Sequence, residues 1–585
     1  MAHLWTDCFI CVTPSIVVTT KYNYTHYPFR SLFTTTTSHF MADPRNGFCS
    51  QTKTFHSLRP PAPLPPPTQP LSITDYTLSL LRSPNAPPLQ TTAFLIDAST
   101  GHRLFYVDFL HQIQTLSSSL QTRFPSLSRG QVAFILSPPS LHLPVLYFSL
   151  LSLGVTISPA NPLATGSELT HMVRLSKPSI AFATSSTAHK LPPLPLGNVL
   201  VDSSEFHSMI TIPTKDKYNE DRVKVNQSDS VAILYSSGTT GRVKGVELTH
   251  RNLIAVISGS YHNRLDKNPP FPVSLFALPL FHVFGFFMMI RAAAIGETLV
   301  LMERFDFEGM LRTVEKYKIT YMPVSPPLVV AMAKSELVKK YNLSSLQRLG
   351  CGGAPLGKEV SERFNARFPN VEIVQGYGLT ESGGGATRML GPDETKKQGS
   401  VGRLSENLEA KIVDPVTGEP FAPGQRGELW IRGPTIMKGY VGDDEATAAT
   451  LDSEGWLKTG DLCYFDSDGF LYIVDRLKEL IKYKAYQVPP AELEHLLLSN
   501  REIADAAVIP YPDEEAGQIP MAFIVRKPGS SITGAQVMNF IAKQVAPYKK
   551  IRRVAFINSI PKSPAGKILR RELVNHASGG ASARL

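Results

Sequence analysis

A chain of 585 residues with 43% hydrophobic and 18% charged side chains is too long for one ordinary core and has ample apolar surface to bury. Its net charge of +10 suits anionic small molecules as well as nucleic acid, and no Lys/Arg-rich helix, zinc-finger spacing or aromatic RNA-binding signature supports a nucleic-acid partner. Five cysteines over this length exclude a disulfide-built secreted scaffold.

In chain order, residues 1–40 are rich in Thr and Tyr and set Lys21 and Arg30 against a single acid, Asp7. That composition reads as a transit peptide, a disordered extension, or an upstream start ahead of an initiator at Met41. Cys8 and Cys11 form a lone C-x-x-C, and no second ligand pair is near enough for a metal site. Cys49, Cys351 and Cys463 read as ordinary reduced thiols. Arg59 to Leu71 holds seven prolines and predicts an extended polyproline linker. Residues 1–71 are therefore expected to be a disordered extension and linker, with folded sequence from Ser72.

From there, apolar β-type runs such as 132–136 alternate with helical patterns such as 140–153. The alternation predicts an α/β fold: a large N-terminal domain over 72–474, with mostly parallel sheets flanked by helices. Phe271 to Ile290 is apolar and long enough for a membrane span, but Pro272, Pro279 and His282 favour a buried strand and helix. No membrane span is expected. After the strand 470–474, the charged segment Asp475-Arg476-Leu477-Lys478-Glu479 marks a hinge. A small, mobile α+β domain over 480–575 follows, with a helix opened by Pro489-Pro490, strands at 506–511 and 521–526, and a helix near 534–545. Residues 576–585 read as a flexible tail.

The chemistry is most legible at 231–245. Val231-Ala232-Ile233-Leu234-Tyr235 reads as a buried strand, and Ser236-Ser237-Gly238-Thr239-Thr240-Gly241-Arg242-Val243-Lys244-Gly245 follows it directly. Glycines and hydroxyl side chains at a strand end turn N–H and O–H groups toward one point, a concavity suited to polyphosphate, and Lys244 adds a positive charge. No Gly-Lys-Ser/Thr step is present, so this is not a Walker A loop.

The loop resembles the signature of the adenylate-forming superfamily, which includes acyl-CoA synthetases, peptide-synthetase adenylation domains and firefly luciferase. Further segments agree in order: 278–285 with His282 and Phe284, Gly352-Gly353-Ala354-Pro355-Leu356, Gln375-Gly376-Tyr377-Gly378-Leu379-Thr380-Glu381, Gly427-Glu428-Leu429, Lys458-Thr459-Gly460-Asp461, the hinge itself, and 561–570 with Lys567. The likeness spans roughly residues 90–573 and is nearest in texture to plant 4-coumarate:CoA ligases and their ligase-like relatives.

That resemblance implies an enzyme using ATP, Mg²⁺ and coenzyme A, with a small-molecule acid as substrate. Ser236, Ser237, Gly238, Thr239, Thr240, Gly241 and Lys244 would cradle the phosphates. Gln375, Gly376, Tyr377 and Thr380 would meet the nucleotide, and Asp461 would accept both ribose hydroxyls. Arg476 and Lys478 would lie near the ribose or be hinge-surface charges. Glu381, assisted by Thr240, would hold Mg²⁺. Lys567 would bridge the attacking carboxylate and the α-phosphate, a placed charge worth roughly 3 kcal/mol of barrier. Lys482 and Gln487 would attend the adenylate and the thioester step, and Lys484-Ala485 would touch coenzyme A. Ala485 stands where most relatives carry glycine. His282, with Phe284, Ala354 and Gly376, would border the acyl group, the core histidine being the other reading of His282.

For the acid, Gly384 and Gly385 predict a deepened pocket, and Arg388 would face either a polar substrate end or solvent. Hydroxycinnamates, medium or long acyl chains, and jasmonate-precursor-like cyclopentanone acids remain open. Delivery to another acceptor, a luciferase-like oxygenase and a non-catalytic adenylate-binding homologue are the competing classes. The C-terminal Ala583-Arg584-Leu585 resembles the peroxisomal address tripeptide. It implies the peroxisomal import receptor as a partner, with a cytoplasmic location as the alternative.

Overall fold

The computed structural model describes residues 42–84, 86–213, 223–237, 243–264, 271–354, 356–484, 486–563 and 566–579. The expectations placed on 1–40, Gly238 to Gly241, Ala485 and the terminal tripeptide lie outside these residues, as does the side chain of Ser237.

Two large sheets carry the body. In the first, the strands Ser230–Ser237, Thr156–Pro159, Val132–Leu136, Ile180–Ala183 and Asn198–Leu200 lie parallel in that spatial order. Val243–Thr249 returns antiparallel to Ser230–Ser237, with Lys244 opposite Ser236. The loop singled out above therefore joins two paired strands, which pins both its ends. In the second sheet Glu372–Tyr377, Arg348–Cys351, Tyr321–Val324, Val273–Phe276, Thr298–Leu301 and Ala93–Asp97 lie parallel. Central strands such as Ile180–Ala183 and Val132–Leu136 are covered on both faces, which is why they read as unbroken apolar runs rather than as alternations.

The apolar stretch 271–290 resolves into Val273–Phe276 and the start of the helix Val283–Ile295. Gly296, at φ +77, ends that helix in the left-handed conformation that favours glycine. Among the described residues no helix is long and apolar enough to cross a membrane.

Residues 42–71 depart from expectation. They are not a free linker. Thr54–His56 pairs with Glu409–Val413 in an antiparallel sheet, and Phe55 is 1% exposed, stacked on Phe465 with ring centroids 4.3 Å apart. The proline-rich run is extended, as its composition dictates, but it is strapped to the body. The carbonyl of Pro63 accepts from Ser258 at 2.6 Å, that of Pro65 from Arg251 at 2.6 Å, and that of Pro66 from Gln227 at 2.8 Å. Proline lacks an N–H but keeps its carbonyl, and a polyproline backbone makes no internal hydrogen bonds. Its carbonyls are thus free to accept from side chains.

Beyond the strand Leu471–Arg476 the C-terminal sheet has a core of its own, in which Leu493 and Leu497 from the helix Pro490–Ser499 pack with Val508, Ile524, Val537 and Ile541. The expected strands are Ile503–Asp513 and Gly517–Arg526, and the later helix is Gly534–Ala542. Its N-cap Thr533 and Gln536 form a capping box.

Candidate active site

A cavity of about 1070 Å³ runs along the second sheet. It meets the C-terminal ends of the parallel strands at Ser236, Gly352 and Tyr377, and the opposite ends at Tyr321 and Arg348. Ligands of open α/β sheets sit at the C-terminal strand ends. Here the space continues past them, between Val256, Val283, Phe287 and Met288 on one side and the sheet on the other.

At the strand-end mouth, the Glu381 carboxylate is held by two hydroxyls. Oε1 accepts from Tyr440 at 2.9 Å and from Ser236 at 3.3 Å. Lys244 Nζ lies over the Tyr440 ring, 4.5 Å from its centroid. Tyr440 is thus a site residue that the sequence reading missed. It lies in Gly439–Tyr440, which pairs with Val243–Thr249, and only that long-range pairing reveals it.

Asp461 is 4% exposed and does not line the cavity, although its neighbours Thr459 and Gly460 do. Its Oδ2 accepts from the Tyr377 hydroxyl at 2.6 Å, and Oδ1 lies 3.4 Å from Arg476 Nε. Burial pushes this carboxyl above its usual range, against the pull of Arg476 and of the Tyr377 hydrogen bond. Each carboxylate oxygen thus already has a protein partner. Arg476 and Lys478 do line the cavity, so neither is a bare hinge-surface charge.

His282 is the N-cap of the helix Val283–Ile295, and its Nδ1 accepts from the Phe284 N–H at 3.3 Å. Burial, with the Lys567 charge adding to it, pushes the ring down to about 4. A neutral ring whose Nδ1 accepts carries its proton on Nε2. His282 and Phe284 line the cavity together with Gln375, Gly376, Thr380, Gly384 and Gly385. Ala354 does not, although Gly352 and Gly353 just before it do.

Lys567, between the strand Arg553–Phe556 and the helix Arg570–Gly579, lines the same cavity. Its backbone closes a turn with Ser563, whose N–H donates to the Lys567 carbonyl at 2.8 Å and whose Oγ accepts the Lys567 N–H at 3.2 Å. Gly566 in this turn sits at φ +80, where a side chain would be strained. Burial and Arg476 push the ammonium below its ordinary value, while Asp461, Glu381 and Glu479 pull the other way. By contrast Lys482, Lys484 and Gln487 are exposed and do not line the cavity. Lys482 pairs with Gln487 across the hairpin of Ile481–Tyr483 and Tyr486–Val488. The resemblance brings Lys567 and this pair to one site; in this structure only Lys567 lines it.

The two glycines behave differently. Gly384 has φ +98, and a Cβ there would meet Val283 at 3.3 Å, so glycine is required by the backbone. At Gly385 an added Cβ would meet only Val256, at 3.9 Å. Arg388 lines the cavity together with Glu406, and its guanidinium is paired rather than free. Its Nη2 donates to Glu406 Oε1 at 2.5 Å and to the Gly259 carbonyl at 3.1 Å, and Glu406 also accepts from Asn263 at 3.0 Å. The sequence reading missed Glu406 because it lies 18 residues away, with no motif to mark it.

A cavity of this size, with a cationic arm at one end, an apolar middle and a paired arginine beyond, can hold a nucleotide together with an organic acid. Comparison with known proteins agrees. The AMP-binding enzyme family model matches residues 81–441, and the AMP-binding enzyme C-terminal domain matches 492–567. The chain belongs to the AMP-binding enzyme family. It is 60% identical to 4-coumarate--CoA ligase-like 9 of Arabidopsis thaliana, over 95% of this chain and all of that protein. It is 45% identical to peroxisomal OPC-8:0-CoA ligase 1 of the same plant, over 92% of this chain and 98% of that one. In fold it is similar to the anthranilate CoA ligase AuaEII in complex with anthranoyl-AMP, with a TM-score of 0.78 at 22% identity, covering 88% of this chain and 99% of that one.

Proposed function

We propose that the protein is an AMP-forming acid:CoA ligase. A carboxylate oxygen attacks the α-phosphorus of ATP and pyrophosphate leaves. The coenzyme A thiolate then attacks the acyl carbon of the mixed anhydride, AMP leaves, and the thiol proton passes to solvent. The observation that carries this reading is Lys567, borne by the C-terminal domain between the strand Arg553–Phe556 and the helix Arg570–Gly579 yet lining the same cavity as His282, Glu381 and Arg476.

Two anions must meet for the first step, so cations set where charge concentrates lower the barrier. Lys567 would lie between the carboxylate and the α-phosphate, and the His282 Nε2–H would orient the acid. Arg476, Asp461 and Tyr377 would form the ribose end. Lys244 and the loop from Ser236 would hold the β- and γ-phosphates. Glu381 offers one carboxylate beside two hydroxyls, which fits a Mg²⁺ that takes most of its ligands from phosphate and water. Glu381, with Thr240, would hold it, and the ion would supply positive charge at the phosphate oxygens.

The layout supports a large domain over 72–474 extended by the 42–71 strap, a hinge at 475–479 and a lid over 480–575. One lid orientation presents Lys567. A second would present Lys482 and Gln487 for the thioester step, with Lys484-Ala485 meeting coenzyme A. The acid is a hydroxycinnamate, a medium- or long-chain acid, or a jasmonate-precursor-like cyclopentanone acid. An apolar cavity middle suits all three, and the relative named for OPC-8:0 supports the last.

We further propose a peroxisomal location through Ala583-Arg584-Leu585, supported by the name of the same relative. A reporter fusion should lose peroxisomal import when Leu585 is removed; unchanged import refutes it. The activity itself is tested with purified protein and an acid panel, reading pyrophosphate and thioester together. Acid-dependent pyrophosphate with thioester appearing only with coenzyme A is the expected result. Release without thioester contradicts the ligase reading.

A further inference from the structure

The helix Pro490–Ser499 of the C-terminal unit is held at its start by the hinge and at its end by the large body. At its start, the Ala491 N–H donates to Oδ2 of Asp475 at 2.9 Å. At its end, Arg363 Nη2 donates to the Ser499 carbonyl at 3.1 Å. A few residues on, Lys334 Nζ donates to the Ile503 carbonyl at 3.2 Å. The last carbonyls of a helix lack intrahelical partners and form the negative end of its dipole, so cations there are favourable.

These cations sit on two body helices, Pro326–Lys334 and Lys358–Arg367. The opposite end of Pro326–Lys334 meets the catalytic arm. A Cβ on Gly566 would stand 3.0 Å from Ser325 Oγ and 3.6 Å from Pro327, so Gly566, next to Lys567, is seated against that helix start. One body helix thus touches the small unit at both its ends, Gly566 at its start and Ile503 at Lys334. Lys334 is half-buried there, and burial, with Lys527 and Arg363 adding to it and Asp505 opposing, pushes its ammonium down to about 8.

We propose that Lys334 and Arg363 are positioning residues for adenylate formation, holding the lid in the orientation that brings Lys567 into the cavity. Neither residue lines that cavity, so neither acts on the reacting atoms directly. Their contacts with Ser499 and Ile503 must part before the exposed Lys482–Gln487 hairpin can take the place of the Lys567 arm. This rests on the ligase reading above.

The test separates the two half-reactions. Lys334→Ala, Lys334→Gln, Arg363→Ala and the Lys334→Ala/Arg363→Ala pair are assayed for acid-dependent pyrophosphate release. They are then assayed for thioester formation from supplied acyl-adenylate and coenzyme A. Pyrophosphate release should fall roughly tenfold or more in the pair, the factor that loss of charge-assisted hydrogen bonds implies, while thioester formation stays within about twofold or rises. Lys334→Arg, which keeps a cationic donor, should restore most of the first half-reaction. Equal loss in both halves, or no loss in either, overturns the proposal. The Gln and single variants decide the matter if the pair does not fold. Wild-type protein that releases no pyrophosphate with any acid would instead overturn the ligase reading on which the proposal stands.

Discussion

The Tyr377 hydroxyl donates to Oδ2 of Asp461 at 2.6 Å, and Arg476 stands on the other oxygen at 3.4 Å. A buried carboxylate is tolerable when it is paired and hydrogen-bonded, and removing a partner exposes the cost. Replacing Tyr377 with Phe should therefore weaken ATP binding about fivefold, the worth of roughly 1 kcal/mol for one hydrogen bond. Asp461→Asn, which also strands Arg476, should weaken it by about tenfold or more. Titration calorimetry with ATP reads both. Unchanged affinity in both variants would remove this pair from the nucleotide site.

Gly385 has room for a side chain where Gly384 has none. Gly385→Val should leave the fold intact and narrow the space beside Val256. The kcat/KM for bulky acids should fall by about 10-fold relative to slender straight-chain acids, since each misfitting group is worth roughly 1–3 kcal/mol. Gly384→Ala, forced into φ +98, should instead lower thermal stability whatever the acid. Equal losses across the acid panel for Gly385→Val would place this residue outside the acyl pocket.

Arg388 and Glu406 form an ion pair in which Glu406 is 3% exposed as a side chain. Breaking one partner of such a pair costs about 3–5 kcal/mol, whereas replacing both by apolar groups is often neutral. Glu406→Gln should thus destabilise more than the double change Arg388→Met/Glu406→Leu, as read by denaturant midpoints. If the double variant is the less stable, the pair contributes more than its mutual neutralisation.

His282 is held neutral. Its pKa of about 4 in the fold lies below the ordinary 6.5, so between those values the unfolded chain binds the extra proton. The stability this residue contributes is complete above 6.5 and is lost as pH falls toward 4. Adenylate formation should accordingly show no His282 titration between about pH 5 and 8. His282→Ala should lower the rate in that range without changing the shape of the profile. A wild-type limb near 6.5 that vanishes in the variant would contradict this.

Much of the site was legible because its chemistry sits in local runs. His282, Glu381, Arg476, Lys478 and Lys567 all line one cavity, and each stands in a motif readable along the chain. Legibility failed wherever a partner is distant. Tyr440 reaches Glu381 across 59 residues and Glu406 meets Arg388 across 18, and no local pattern encodes either. Of the strap 42–71, only 59–71 is legible from its prolines. Composition gives the extended backbone, but only the donors on Ser258, Arg251 and Gln227 determine where it docks. Lys482 and Gln487 show a different limit, since a motif names a role while the structure holds one orientation of the parts.

The central claim is that Lys567 serves the first of two half-reactions in one cavity. The most direct measurement is acid-dependent pyrophosphate release by Lys567→Ala, set beside its thioester formation from preformed acyl-adenylate. The account predicts that release falls by about two orders of magnitude or more, in line with roughly 3 kcal/mol for a preorganised charge, while the second half-reaction is retained. Equal loss of both, or release at the wild-type rate, would contradict it.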